Sequence, residues 1–128
     1  MIVLDASVLI AHLDAADAHH DKARDLLGKS GAEPLGSSAI TLAETFGSPA
    51  RAGRLEEAES AMRQLGVEEL AIGAEAAGRL ATLRARTRLK MPDCCVLLAA
   101  LDRGALLASF DSSLLAAAKE LGLKTAPR

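Results

Sequence analysis

The sequence predicts an α/β fold with a small, mostly parallel central sheet of about five strands. Short apolar runs of strand length alternate with longer segments in which apolar residues recur at helical spacing. Hydrophobic residues make up 50% of the chain and charged residues 25%, which is ordinary for a globular protein. A chain of 128 residues is long enough for one core, so residues 1–128 are predicted to form a single domain.

The first half of the chain is predicted to contain two strands and three helices. The strands are residues 1–4 and 35–40, and the helices are residues 8–13, 17–27 and 41–47. The run at 1–4 is apolar throughout, which is typical of a strand buried on both faces. Gly47 and Pro49 are expected to stop the third helix, because proline cannot continue a helix without losing a hydrogen bond.

The second half continues the alternation. The predicted helices are residues 55–65, 74–87, 92–103 and 113–121, and the predicted strands are 67–72, 105–109 and 123–126. Pro92 suits the first turn of a helix, and Gly66 and Gly104 suit the ends of the helices before them. The segment 92–103 has little polar face and is therefore expected to be buried.

Composition limits the possible partners and compartment. A net charge of -2 and a pI near 5.9 argue against a general polyanion binder, and only 2% of residues are aromatic, with no Trp or Tyr. We therefore expect no stacking platform for single-stranded nucleic acid, so that any such contact would use the nucleic acid backbone. Cys94 and Cys95 are adjacent in an apolar helix, which predicts two buried thiols. With no signal segment and no apolar run long enough to span a bilayer, the expected location is the cytoplasm, away from membranes.

Four acids stand where the fold would bring them together. Asp5 and Asp111 follow predicted strands, and ligands in open α/β sheets bind outside the carboxyl ends of the strands. Asp93 begins a helix that runs antiparallel to the strand after it, so it belongs at the same edge of the sheet. Glu44 interrupts an otherwise apolar helical segment. These four residues are the candidate catalytic and metal-binding side chains.

Converging carboxylates repel one another and need a cation to stay ionised together. A site made only of carboxylate oxygens suits a hard divalent ion, Mg²⁺ or Mn²⁺, which keeps several waters and takes further ligands from a phosphate. Ser7 and Ser109 lie two positions from Asp5 and Asp111, where a hydroxyl can orient a carboxylate or a bound water.

Four segments of the chain resemble the successive acidic motifs of PIN-domain ribonucleases. They are residues 1–10 (MIVLDASVLI), 38–44 (SAITLAE), 91–93 (MPD) and 107–111 (LASFD). Among these enzymes the chain is most similar, over essentially its whole length, to the VapC-type toxins of bacterial toxin-antitoxin pairs. The resemblance implies a PIN-like three-layer α/β/α fold and a homodimer that cuts RNA endonucleolytically with Mg²⁺ or Mn²⁺. It also implies inhibition by a cognate VapB-like antitoxin that docks on the toxin and often occludes the acidic site.

Residue by residue, the resemblance assigns metal-site roles to the four acids and supporting roles to Ser7 and Ser109. Two positions depart from the pattern. Ser109 stands where many relatives have Thr, which is a conservative change. Ser113 stands where some relatives have a further acid, so we expect one tightly bound ion and a second that binds only weakly.

A basic segment precedes Asp93 and is a candidate for contacting RNA phosphates. Its cations are Arg84, Arg86, Arg88 and Lys90, and no acid lies among them. Such a segment is otherwise interpreted as a solvated helix face. The three histidines, His12, His19 and His20, have no partners at a zinc spacing and are predicted to be surface residues.

Each acid also has a simpler interpretation. Asp93 alone is typical of a first-turn acid favoured by the helix dipole, Asp5 and Asp111 are each suited to capping a helix, and Glu44 alone would be a surface acid. Two other functions remain as alternatives. One is a non-catalytic PIN-fold module that binds a partner. The other is a phosphotransfer domain with an acidic pocket, which would need a second acid close to Asp5 or a lysine after a late strand.

Overall fold

A computed structural model describes residues 1–127 as a five-stranded sheet with helices on both faces. The strands are β1 Ile2–Leu4, β2 Leu35–Ser38, β3 Val67–Leu70, β4 Leu106–Ala108 and β5 Thr125–Ala126. The helices within this range are α1 Ala6–Leu13, α2 His20–Gly28, α3 Ala39–Arg51, α4 Leu55–Leu65, α5 Ala76–Thr87, α6 Met91–Arg103 and α7 Ser112–Glu120. The predicted α/β class and the number of strands are confirmed.

The sheet has the strand order β3-β2-β1-β4-β5, and every pairing is parallel. β1 lies at its centre, with Ile2 aligned to Leu35 of β2 and to Leu106 of β4. Because the strands run in the same direction, the residues that follow β1 and β4 emerge side by side at one edge of the sheet. Asp5 and Ser109 occupy these two positions.

Two hydrophobic clusters cover the two faces of the sheet and confirm the three-layer arrangement. Val3 and Leu107 join the cluster beneath α5, α6 and α7, whereas Leu4 and Ala108 join the cluster beneath α1, α2, α3 and α4. Consecutive strand residues point to opposite faces, and both faces are apolar here, so the central strands read as continuous apolar runs.

The buried helix α6 behaves as its composition predicts. Its apolar middle is buried, including the two free thiols of Cys94 and Cys95. Pro92 lies in the first turn, and Gly104 ends the helix with a left-handed backbone at φ 57. Among the helices of residues 1–127, none combines the length and the hydropathy needed to cross a membrane.

The expected stop at Pro49 was wrong. Helix α3 starts at Ala39, inside the segment predicted as strand, and continues through Pro49 to Arg51. Ser38 caps its start by accepting a hydrogen bond from the backbone N-H of Thr41. Pro49 lies in the last turn of α3, and only two helical residues follow it. The loss of the one hydrogen bond that proline removes therefore destabilises the helix little.

Other boundaries differ from the sequence prediction by one to three residues. Helix α1 starts two residues earlier than predicted, α2 starts three later, and β3 ends two earlier. Helix α5 is bounded by Glu75 and Arg88, both of which have left-handed backbones at φ 61. Neither is a glycine, so the sequence carried no signal for these two turns.

Candidate acidic metal site

Asp5 is the buried centre of the candidate site. It follows β1, only 6% of its surface is exposed, and its backbone N-H donates to the carbonyl of Ala108 on the neighbouring strand. Although Asp5 stands at the capping position of α1, its side chain does not cap that helix. Its Oδ2 atom instead accepts hydrogen bonds from Ser7 Oγ and Ser109 Oγ, both at 2.8 Å. The simpler interpretation of Asp5 as a helix cap is therefore wrong.

The two serines also tie Asp5 to the segment after β4. Ser7 Oγ accepts from the backbone N-H of Phe110 at 3.0 Å, and Ser109 Oγ accepts from that of Asp111 at 2.9 Å. The two hydroxyl oxygens are 3.4 Å apart. Each hydroxyl has one proton, and since both protons go to Asp5, neither is left for the other serine. The network holds one carboxylate oxygen firmly and fixes the backbone that carries Asp111.

Removing the Ser109 hydroxyl should weaken this network measurably. We expect Ser109→Ala to lower the affinity for Mn²⁺ by roughly 10- to 100-fold, because groups that orient metal-binding carboxylates have effects of this size. It should also lower the free energy of unfolding by about 1–3 kcal/mol, because the buried carboxylate of Asp5 loses one of its two hydrogen-bond donors. Calorimetric Mn²⁺ titration and urea unfolding measure the two effects. Ser112→Ala, at an exposed position on α7, is the matched control. Equal results for both variants would contradict the assigned role.

Asp111 is exposed and caps helix α7. Its Oδ1 atom accepts from the backbone N-H groups of Ser113 at 2.8 Å and Leu114 at 3.2 Å. The capping interpretation is therefore correct for this residue. The second carboxylate oxygen, Oδ2, makes no hydrogen bond within residues 1–127. Capping fixes the side chain while leaving this oxygen available, so the two roles are compatible.

Asp93 and Glu44 complete the acidic group from α6 and α3. Burial raises the pKa of Asp93 to about 6, and the negative charges of Asp5, Asp111 and Glu44 contribute to this rise. The pKa of Glu44 is also raised, first by burial and then by Asp5. These effects bring together Glu44 on α3, Asp93 on α6 and the two acids between elements, Asp5 after β1 and Asp111 before α7. Asp93 therefore lies within electrostatic range of the other three acids predicted from sequence, and Glu44 lies within range of Asp5.

The donor set fits a hard divalent cation. The candidate side chains supply only carboxylate and hydroxyl oxygens, and a cation would relieve the repulsion that helps to raise the pKa of Asp93. Within residues 1–127, no group of three or more His, Cys, Asp or Glu side chains has an arrangement that could hold a metal ion. Ligation through water, which Mg²⁺ retains readily, or rotation of the exposed Glu44 and Asp111 side chains would be needed.

The basic segment lies beside the acids, but its members are not equivalent. Arg84 and Arg86 are exposed on the last turn of α5, Arg88 ends that helix, and Lys90 precedes α6. The positive charge of Lys90 lowers the pKa values of both Asp93 and Glu44, so Lys90 is the cation that acts on both acids. Arg79, earlier on α5, is instead paired with Asp102 at 2.6 Å.

One feature near the site was not predicted. The ring of His19, which had been interpreted only as a surface histidine, stacks on Phe110 with centroids 4.9 Å apart and planes inclined by 21°. Phe110 lies between the two site residues Ser109 and Asp111. His19 and Phe110 are far apart in sequence, and only their placement across α2 and the segment after β4 reveals the pair.

The comparisons with known proteins agree on one family. The profile of the PIN domain family matches residues 2–120. The fold is similar to that of VapC20 from Mycobacterium tuberculosis, described as a sarcin-ricin loop cleaving toxin, with 21% identity over 91% of this chain and 95% of that one (TM-score 0.77). It is similar to a toxin-antitoxin complex from Klebsiella pneumoniae, with 20% identity over 88% of each chain (TM-score 0.73).

A third similar structure is FitAcB from Neisseria gonorrhoeae, with 20% identity over 98% of this chain and 96% of that one (TM-score 0.74). No curated protein sequence matches the chain significantly. At these identities the structural neighbours show the fold alone. The profile match spans nearly the whole sequence, from β1 to the end of α7. The chain therefore belongs to the PIN domain family.

Proposed function

We propose that this protein is a Mg²⁺- or Mn²⁺-dependent endoribonuclease, the toxin of a VapBC-type pair that a cognate antitoxin neutralises. The observation that carries the proposal is the buried Asp5 carboxylate, held by two serine hydroxyls at the carboxyl edge of the sheet and within electrostatic range of Asp93. Membership of the PIN family and the described activity of VapC20 support the assignment to RNA cleavage.

The proposed roles follow from burial and charge. Asp5, Asp93 and Asp111 would hold the ion directly or through water, and Glu44 would join them or orient the attacking water. The chemistry that such an ion supplies when bound is activation of water and neutralisation of charge on the phosphodiester. Ser7 and Ser109 keep Asp5 in place. Glu44 is exposed and has a raised pKa, which makes its carboxylate a better proton acceptor at neutral pH.

The central test uses purified protein with mixed cellular RNA. Cleavage is expected in Mg²⁺ or Mn²⁺ and is expected to stop in EDTA, and mapping of the new RNA ends would then identify the target. Cleavage that persists in EDTA would contradict the metal-dependent mechanism. Absence of both cleavage and calorimetric Mn²⁺ binding would favour the alternative, a non-catalytic module that uses the PIN fold to bind a partner.

Lys90 is proposed to contact an RNA phosphate, together with the neighbouring Arg84, Arg86 and Arg88. For single-stranded RNA each neutralised phosphate contributes about 0.7 to the slope of log K against log salt concentration. We therefore expect Lys90→Gln to reduce that slope by about 0.7 and to weaken binding of all RNA sequences alike. Measurement at pH 8 keeps Asp93 ionised in both proteins.

The matched control for Lys90 is Lys119→Gln. Lys119 is exposed in the last turn of α7, at the end of that helix opposite Asp111. Its replacement should leave the salt slope unchanged. A slope that falls equally in both variants would indicate a diffuse effect of net charge instead of a contact at Lys90.

In this proposal the antitoxin binds in a cleft that shares Glu44 with the acidic group. The cleft has a volume of about 550 Å³ and lies between α1, α3 and α4. Ile10 and Leu13 supply apolar surface, and the charged lining is mixed, with Arg54 paired to Glu57 at 2.6 Å. A segment bound there would cover Glu44, which links antitoxin binding to inhibition. The homodimer and a cytoplasmic location, which suits the two free buried thiols, are parts of the same proposal.

A further inference from the structure

The His19-Phe110 stack is the one pair of stacked rings found within residues 1–127. The sequence has two Phe and no Trp or Tyr, so aromatic surface is scarce. The lack of Trp and Tyr does not by itself exclude a stacking surface for RNA. Histidine rings also stack on nucleobases. The position of this pair next to the acidic group therefore matters for how a substrate is held.

Phe110 forms the lower layer of the stack and is fixed by the site itself. Its backbone N-H donates to Ser7 Oγ, whose own proton goes to Asp5. Its ring packs against the core cluster beneath α1 and α2. Any substrate positioned by Asp5 and Asp111 is therefore close to the chain segment that carries this ring.

His19 forms the upper layer and is also held in place. Its backbone N-H donates to Asp17 Oδ1 at 2.8 Å, and its carbonyl accepts from Ala23 in the first turn of α2. The side chain is nevertheless 47% exposed. One face of the imidazole lies on Phe110, so the opposite face is the surface on which a base could stack. A flat π-surface is thus available without any side chain having to be ordered first.

We propose that His19, supported by Phe110, is a nucleobase-stacking subsite for a nucleotide next to the cleaved phosphodiester. This inference rests on the proposed ribonuclease function and adds a contact to a base. The acids and Lys90 act on the phosphate, and the stacked rings of His19 and Phe110 bind the neighbouring base. Stacking accepts every base because each has a π-face, so the subsite positions the strand and contributes little sequence selectivity. His19 is a binding residue in this scheme and takes no part in proton transfer.

The test combines protein variants with an RNA that the wild-type protein cleaves at one bond. Abasic nucleotides are placed singly on either side of that bond. At one position we expect the loss of the base to lower kcat/KM by roughly 5- to 150-fold, the range that corresponds to one stacked base. His19→Ala should lower kcat/KM for the intact RNA by a similar factor, mainly through KM. In the His19→Ala protein, removal of the base at that position should cause almost no further decrease in kcat/KM.

Three further variants separate stacking from a merely structural role. His19→Tyr keeps a π-face and should retain cleavage. His19→Leu still covers Phe110 but has no π-face, so it should behave like His19→Ala. His20→Ala removes the adjacent imidazole, which is bonded to the carbonyl of Ala11, and should leave the response to abasic RNA unchanged. Full activity of His19→Leu, or additive losses for His19→Ala with abasic RNA, would overturn the proposal.

A binding measurement separates failure of this inference from failure of the proposed function. Short single-stranded RNA carrying 2-aminopurine is titrated with protein in EDTA, and stacking on His19 should quench its fluorescence in the wild-type and His19→Tyr proteins only. Quenching without any cleavage would retain the subsite and reject the nuclease. Cleavage without quenching that depends on His19 would reject the subsite and retain the nuclease, and absence of both would reject both.

Discussion

Replacing Asp5 with Asn is expected to reduce metal-dependent RNA cleavage by at least about 100-fold while the fold remains intact. Changes to groups that only orient metal ligands cost roughly 10- to 100-fold, and Asp5 is the carboxylate that such groups orient here. Asparagine keeps the shape of the side chain and can still accept hydrogen bonds from both serines through its amide oxygen. The charge that attracts the cation is what disappears.

The measurements for Asp5→Asn are kcat/KM on a defined RNA and the affinity for Mn²⁺. Asp25→Asn is the matched control, because Asp25 is exposed further along α2, where it pairs with Lys29 at 2.9 Å. Circular dichroism should show the same helix content in all three proteins. Cleavage by Asp5→Asn within a few fold of the wild-type rate would remove Asp5 from the site and with it the proposed mechanism.

Much of the fold was predictable because local and tertiary signals agree. The central strands are apolar on both faces, and glycines stand where α4 and α6 end with left-handed backbones. The convergence of Asp5, Asp93 and Asp111 was predictable too, because a parallel sheet places the residues after neighbouring strands at one edge. The topology of the sheet is sufficient for that prediction, and no side-chain contact has to be known.

The features that were predicted wrongly or incompletely from the sequence have physical reasons. Pro49 was expected to end α3, but a proline in the last turn removes only one hydrogen bond, and the helix is already anchored in the core by Thr41, Leu42 and Thr45 before it. Ser7 and Ser109 were predicted to orient a carboxylate, but spacing in sequence does not specify that both hydroxyls donate to the same oxygen of Asp5. The stack of His19 on Phe110 joins residues from opposite ends of the chain, so no local pattern could reveal it.

Asp93 is expected to reveal a conflict between stability and function. Its pKa of about 6 lies above the ordinary value of 3.8, so the folded protein binds more protons than the unfolded chain between these values. The stabilising contribution is complete below pH 3.8 and is lost as the pH rises through 6. In metal-free wild-type protein near pH 8, the ionised Asp93 therefore opposes folding.

The Asp93→Asn substitution removes the negative charge that opposes folding. The full shift corresponds to about 3 kcal/mol, and because Asp93 is only partly buried and Lys90 lies nearby, we discount the expected gain to about 1–2 kcal/mol. Urea unfolding in EDTA should show that the variant gains stability over the wild type between pH 4 and pH 7. Asp93→Asn should also lose at least about 100-fold in cleavage, as expected for a direct metal ligand.

The sign of this effect separates the two interpretations of Asp93. An acid that serves only the dipole of α6 would stabilise the helix by about 0.3–1 kcal/mol, so its replacement would destabilise the protein at neutral pH. If Asp93 instead lies among other carboxylates, its replacement is expected to stabilise the protein at neutral pH. Saturating Mn²⁺ supplies a second criterion, because a ligand at 100 times its Kd stabilises by about 2.7 kcal/mol. The wild type should gain this stability and the variant much less, so that added metal reverses their order.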